Sequence, residues 1–188
     1  MQGYLAALSI VLLLGMVLTR VALLRRAGTR AMHFGRIDRK DFLIPPFALF
    51  YIYTVSATAF GLPVVSRQVF FHSGALAWVG VLLCFAGLLA LLLSLVSFGK
   101  SFRVGIDVEH PDSLVTTGIF AYSRNPIYVA FASVLLGQFL VFPNWILLVY
   151  LVAGIWLFHR QVTREEAFLK QRYGRDFAEY CGRVRRYL

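Results

Sequence analysis

From Ala75 to Phe98 the chain carries no charged side chain, and Ser94 and Ser97 are its only hydroxyls. At about 1.5 Å of rise per residue such a run spans the roughly 30 Å hydrocarbon core of a bilayer as one helix. In lipid every backbone amide must find its acceptor inside the segment, so a helix is the conformation open to it. Three further apolar stretches repeat the pattern. Gly3 to Leu24 and Phe42 to Leu62 are each of spanning length, and Pro45-Pro46 at the start of the second sits where missing amide donors matter least. Ile127 to Phe158 is too long for one span, and Pro143-Asn144 divides it into two arms of about 15 residues, which predicts a tight helical hairpin. Ala86 and Ala90 form a small-residue pair of the kind that lets another helix approach closely. The share of hydrophobic residues, 59%, exceeds the roughly 45–50% of soluble domains. The sequence therefore predicts one all-α, polytopic integral membrane domain over 1–188. It has about five transmembrane helices, the first three forming a scaffold over 1–98, and a cytoplasmic C-terminal helix.

The formal charge of +10 would point to nucleic acid in a soluble protein, but beside apolar spans basic residues set topology and meet anionic lipid. On a five-span arrangement seven of them lie between Arg20 and Lys40, three between Lys100 and Arg124, and eight from Arg160 onward, with Arg67 alone on the other side. That asymmetry places the N-terminus outside and the tail in the cytoplasm, the inner membrane of a prokaryote being the expected site. All nine Asp and Glu residues fall on the cytoplasmic side, so polar chemistry belongs there. The first apolar run has basic residues after it and none before it, the reverse of a cleaved signal peptide, and is expected to stay as an anchor. Cys84 and Cys181 lie far apart and at different depths, which argues against a disulfide; no His or Cys pair has zinc spacing, and no metal is expected. No two glycines stand two residues apart, so a dinucleotide-binding Gly-x-Gly is absent. Nothing in the spacing of Ser123, His110 and Asp107 singles them out as a hydrolytic triad.

Two polar pieces remain. Leu114 to Phe131, LVTTGIFAYSRNPIYVAF, is a Gly-containing turn ending in Arg124-Asn125-Pro126 where the apolar hairpin begins; Arg160 to Tyr180, RQVTREEAFLKQRYGRDFAEY, follows where the hairpin ends. A closed hairpin brings both to one membrane face. The first piece sets a guanidinium, an amide and the Tyr128 phenol at a helix start, a place that favours anions, although the same residues also make a helix cap with an interfacial Arg and Tyr belt. The adjacent Glu165 and Glu166 suit ribose hydroxyls or a cation, and equally suit salt bridges to the surrounding arginines. The tail's Ala167, Phe168, Tyr173 and Phe177 can cover an apolar face at the membrane surface.

These two pieces, in this order and on either side of a helical hairpin, resemble the Gly-x-Phe/Tyr with Arg-His-Pro-x-Tyr signature and the Glu-Glu-x-x-Leu with Phe/Tyr-Gly-x-x-Phe/Tyr signature of the isoprenylcysteine carboxyl methyltransferase and phospholipid methyltransferase superfamily. The match covers about half the chain, from the long connection to the tail, and Asn125 stands where many members carry His. The resemblance implies a small helical membrane enzyme with S-adenosyl-L-methionine as cofactor, its pocket built from residues 99–188. Carried onto this sequence, it implies cofactor contacts from Leu114, Val115, Thr116, Gly118, Tyr122, Arg124, Asn125, Pro126, Tyr128, Glu165 and Glu166, with Glu166 and Arg164 as catalytic candidates. The implied partners are a hydrophobic or lipid-bearing acceptor from the bilayer and the membrane lipids, with no nucleic acid and no obligate protein partner. A carboxylate acceptor needs no general base, whereas an amine must first lose a proton. Neighbours on a helix point about 100° apart, so the two glutamates cannot face one pocket equally, and Glu166 is expected to face inward. A non-enzymatic scaffold or transport subunit is the rival, against which Gln138 is nearly alone as a mid-membrane polar residue.

The charge asymmetry makes a direct prediction. In variants with a single cysteine, an impermeant thiol reagent added to intact cells labels position 68 and spares position 185; the opposite pattern reverses the orientation.

Overall fold

A computed structural model describes residues 1–26, 44–64, 68–98 and 114–188, and within them the chain is helical, with five helices and one short 3-10 turn. Helix α1 covers Gln2–Arg26, α2 Ile44–Phe60, α3 Gly74–Phe98, α4 Pro126–Val141 and α5 Trp145–Arg183. By length and composition α1, α3 and α5 can cross a membrane, while α2 and α4 are shorter apolar helices. At 16 residues α4 reaches about 24 Å, less than the core it must traverse, as expected for one arm of a hairpin. The protein is an integral membrane protein. Most of the connections after α1 and α3, with the basic residues from Arg30 to Lys40, Arg67, Lys100, Arg103, and also Asp107 and His110, lie outside the described residues.

The helix boundaries follow the sequence's punctuation. Pro45 and Pro46 occupy the first turn of α2, and Pro126 opens α4. Asn144 caps α5, its side chain accepting from the Leu147 amide at 3.0 Å. One end of the bundle gathers the start of α1, the start of α3 and the α4–α5 turn: Gln2 donates to the Gly74 carbonyl at 2.9 Å, and the Phe70 amide to the Pro143 carbonyl at 2.8 Å. The polar pieces are at the other end.

Helices α3 and α4 meet backbone to backbone. A Cβ on Gly80 would lie 2.6 Å from the Gly137 carbonyl oxygen, one on Gly87 2.7 Å from the Ala130 carbonyl oxygen, and one on Gly137 2.7 Å from Cys84 Sγ. The close approach therefore runs through Gly80 and Gly87, not through the Ala86–Ala90 pair; Ala86 is exposed and Ala90 is half-buried beside the cluster of Val21, Leu91, Leu95 and Ala130. In lipid, where apolar contact alone confers little preference, such shape fit is what joins helices. Gln138, fully buried, adds a polar clasp by donating to the Ala6 carbonyl at 2.7 Å and to Ser9 Oγ at 2.9 Å on α1. Its role is to hold two helices together.

Past Phe158 the fifth span runs into the C-terminal helix without a break until Gly174. The charged stretch continues α5, which is interrupted at Gly174 (φ 49°), a left-handed conformation that favours glycine. Beyond that break Phe177, Tyr180 and Val184 form a buried cluster with Leu114, Leu169, Tyr173 and Cys181. Tyr173 and Phe177, read from sequence as able to cover the membrane surface, are thus used on the protein's own polar turn.

The glycine seam predicts that Gly137→Ala lowers stability by about 1–3 kcal/mol, the usual cost of forcing a methyl into a filled contact. Gly15, with open space where its Cβ would be, tolerates alanine within about 0.5 kcal/mol. Thermal unfolding in detergent micelles compares the two.

Candidate active site

The approach to α4 is shaped first by backbone. Gly118, at φ 64°, opens a 3-10 turn over Gly118–Ala121, and the Cβ it lacks would collide with Ser97 at the end of α3. Only glycine satisfies both the positive φ and the contact. The turn buries Phe120, whose carbonyl accepts from the Tyr180 hydroxyl at 2.6 Å, so the tail docks on the turn. Ser123 Oγ then accepts from the Asn125 amide at 3.2 Å. Asn125 occupies the cap position of α4 but makes no side-chain cap bond, and its amide is used elsewhere.

It is used on Glu166. This carboxylate, 9% exposed, has Oε1 accepting from Arg124 Nε at 3.1 Å and Asn125 Nδ2 at 3.2 Å, with Arg124 Nη2 also 3.1 Å away. Its Oε2 accepts from Arg186 Nε at 3.0 Å and lies 2.8 Å from Arg186 Nη2. Burial alone would push the Glu166 pKa up; the Arg186 hydrogen bond, and then the charge and hydrogen bond of Arg124, outweigh it and hold the carboxyl below its ordinary range. Two guanidinium groups share this one carboxylate.

The same arginine also ties the C-terminal segment down. Arg124 Nη1 donates to the carbonyls of Val184 at 2.8 Å and Cys181 at 3.2 Å, and its backbone amide donates to the Arg185 carbonyl at 3.0 Å. Asn125 Nδ2 reaches the Arg186 carbonyl at 3.1 Å. An amide offers two hydrogens on one nitrogen, and both are used here, which an imidazole nitrogen with a single hydrogen cannot match. His159 Nδ1 and the Tyr187 hydroxyl are 2.8 Å apart, a further link between α5 and the tail.

Glu165 faces a different setting. Its Oε1 accepts from the Tyr128 hydroxyl at 2.7 Å and from Gln161 Nε2 at 2.9 Å, and the Tyr128 ring lies 5.8 Å from that of Phe158. Burial pushes the Glu165 pKa up, and the hydrogen bonds from Gln161 and Tyr128 offset this only in part.

Of the residues singled out from sequence, Arg124, Asn125, Tyr128, Glu165 and Glu166 come together, and Pro126 opens the helix that carries Tyr128. Leu114 packs on the tail cluster, Val115 and Thr116 are half-buried, and Gly118 meets Ser97. Tyr122 is 79% exposed and Arg164 lies on an exposed part of α5. Sequence reasoning missed Arg186, Gln161, Tyr180 and His159. Arg186 stood in a run with Arg183 and Arg185 that reads as topology charge, and nothing in its spacing distinguishes it; Gln161, one turn before Glu165, had a visible i to i+4 relation.

Comparison with known proteins matches residues 75–176 to the phospholipid methyltransferase family model. The chain belongs to the phospholipid methyltransferase family. The matched residues run from α3 to just beyond the break in α5, and so contain Arg124, Asn125, Tyr128, Glu165 and Glu166 but not Arg186. The chain is 29% identical over 111 residues to the probable protein-S-isoprenylcysteine O-methyltransferase of Oryza sativa subsp. indica, covering 57% of this chain and 58% of that protein. It is 33% identical over 94 residues to the protein-S-isoprenylcysteine O-methyltransferase of Schizosaccharomyces pombe (48% and 40%), and 28% identical over 139 residues to that of Homo sapiens (70% and 49%). The chain thus spans about half the length of the curated relatives it matches. No solved structure matches it.

The geometry predicts an acid-labile tail. A carboxyl whose folded pKa is depressed contributes stability above its ordinary value, near pH 4, and loses it as the pH falls through the folded value. Amide exchange of residues 175–187, corrected for its intrinsic pH dependence, is expected to be slow at neutral pH and to accelerate on acidification below that range. Glu166→Gln is expected to exchange faster already at neutral pH, by the roughly 1.5–3 kcal/mol of a hydrogen bond to a charged group, and to lack the acid transition.

Proposed function

We propose that this protein is an S-adenosyl-L-methionine-dependent methyltransferase that takes a hydrophobic or lipid-bearing acceptor from the bilayer, with carboxyl methylation of an isoprenylcysteine as its reaction. The observation that carries the reading is the joining of two sequence-distant motifs, around Arg124 and around Glu165-Glu166, into one buried polar cluster at the end of an apolar hairpin. The names of the curated relatives support carboxyl methylation. The family's description supports a second reading, N-methylation of a phospholipid amine.

The residues present fit the cofactor. Around Glu166 two guanidinium groups meet one carboxylate and leave a net positive charge, the complement of the cofactor's carboxylate; Arg124 is held by Glu166 and the tail carbonyls, and Arg186, its side chain 42% exposed, is the guanidinium in a position to meet it. Carboxylate oxygens of Glu166 suit ribose hydroxyls or the cofactor's amine, and the exposed ring of Tyr122 offers a face for adenine. When bound, the cofactor supplies the reactive methyl group. The protein's part is to hold, orient and exclude water: Arg124 and Asn125 are fixed by the tail carbonyls, while Tyr180 and the Phe177 cluster seal the polar turn against solvent. In this reading residues 99–188 carry the cofactor and the chemistry on a scaffold formed by 1–98, and the site faces the cytoplasm, in the inner membrane of a prokaryote.

Purified protein incubated with methyl-labelled S-adenosylmethionine and a farnesylated cysteine is expected to place base-labile label on the cysteine carboxyl. Base-stable label on an amine lipid would favour the second reading, and label on neither acceptor would remove both. Arg124→Ala, checked for retained helix content, is expected to weaken cofactor binding by about 1.5–3 kcal/mol in calorimetry. Glu166→Gln is expected mainly to raise the cofactor KM and Glu165→Gln mainly to lower kcat.

A further inference from the structure

Glu165 and Glu166 are neighbours on α5 and yet sit in opposite electrostatic surroundings. Glu166 takes two guanidinium groups and an amide; both of the donors that meet Glu165 are neutral. Tyr128 reaches it from α4 and Gln161 from one turn earlier on α5, and both converge on Oε1, so Oε2 is the oxygen that neither engages. The Tyr128 ring lies against Phe158, which in turn lies 5.8 Å from Phe131, so this carboxyl borders the aromatic wall between the hairpin's two arms. Among the described residues the arginine hydrogen bonds of the site go to Glu166 and to tail carbonyls. Where two carboxyls share a site and their environments push them apart, one serves as the anion and the other as the acid.

We propose that Glu165, positioned by Tyr128 and Gln161, selects the charge of the methyl acceptor: as a neutral acid with its proton on Oε2, it donates a hydrogen bond to the carboxylate of an anionic, lipid-bearing acceptor. The proposal rests on the methyltransferase reading above and adds the group that discriminates between acceptors. Burial, which raises the Glu165 pKa, acts in the direction the proposal needs. So does charge balance. With Glu165 neutral, Arg124, Arg186 and Glu166 leave the site net positive, and a positively charged sulfonium cofactor adds to that, so an acceptor carboxylate is attracted and an ammonium headgroup is repelled. An ionised Glu165 would reverse the preference by presenting an unpaired carboxylate to an ammonium group.

Infrared difference spectra and binding isotherms on the full-length protein in micelles test this, with a farnesylated cysteine whose amine is acetylated, the carboxamide of that compound and a primary-amine phospholipid as probes. At neutral pH the wild type is expected to show a protonated-carboxyl C=O stretch that disappears in Glu165→Gln and shifts when the farnesylated cysteine, but not its carboxamide, is added. Binding of the farnesylated cysteine is expected to fall about tenfold per pH unit above the titration of that band, the slope of one linked proton, and to be pH-independent over this range in Glu165→Gln. Tyr128→Phe removes a donor that favours the ionised form, so the band should persist to higher pH. Absence of the band, or binding of the amine phospholipid tighter than that of the farnesylated cysteine, would overturn the proposal. Cofactor binding measured on the same samples separates the two levels: if it is retained, only the role of Glu165 falls, and if it is absent the methyltransferase reading falls with it.

Discussion

A carboxylate kept from water at the edge of a membrane has to be surrounded by donors, and in this protein that requirement falls on Glu166. Leaving such a charge unpaired costs several kcal/mol, and pairing it with one arginine rarely offsets the loss; here two arginines and an amide share the task. The three donors come from parts of the chain far apart in sequence, the start of α4 and the C-terminal tail, while the acceptor is on α5. The pairing requirement therefore closes the site: Arg124 cannot reach Glu166 without also meeting the carbonyls of Cys181 and Val184, and the tail cannot leave without removing Arg186.

That closure depends on a platform that places the start of α4 and the middle of α5 side by side. The glycine seam between α3 and α4 sets how near those helices come, and the clasp of Gln138 on Ala6 and Ser9 ties α4 to α1. The Asn144 cap turns the chain back so that α5 returns along α4. Gly174 then breaks α5, and the following segment folds onto the turn that Gly118 and Ser97 hold at the end of α3. Packing within the membrane thus sets the register, and the polar cluster at its edge uses it.

Much of this was legible in the sequence, because in lipid the link from residue to structure is short. Apolar length, Pro45-Pro46, Pro126 and Pro143-Asn144 mark α1 to α4 and the start of α5 to within a residue or two, since a spanning segment has to be a helix and those residues start or interrupt one; the end of α5 they do not mark, because the helix runs on past Phe158 to Arg183. Arg124 and Asn125 were visible as polar residues at a helix start and the paired glutamates as carboxylates just past an apolar segment, and Arg124 meets Glu166. Salt bridges to the surrounding arginines were open to both glutamates in the sequence; the partners of Glu165 are Tyr128 and Gln161, and Arg186 meets Glu166. That assignment depends on rotation about α5 and on where the tail returns after Gly174, neither of which a one-dimensional pattern carries. The helix contact failed to show for a similar reason: Ala86 and Ala90 have the spacing of a contact pair, but the face that meets α4 is the one bearing Gly80 and Gly87.

If the Arg124 motif and the Glu166 motif form one cofactor site and not two anchors at a membrane surface, their contributions to cofactor binding are coupled. A double-mutant cycle of Arg124→Ala and Glu166→Ala, read by calorimetry as the affinity for S-adenosylmethionine, measures this directly. One shared site gives non-additive losses, with a coupling of about 0.5–3 kcal/mol between the two positions. Losses that add within about 0.3–0.5 kcal/mol would contradict it.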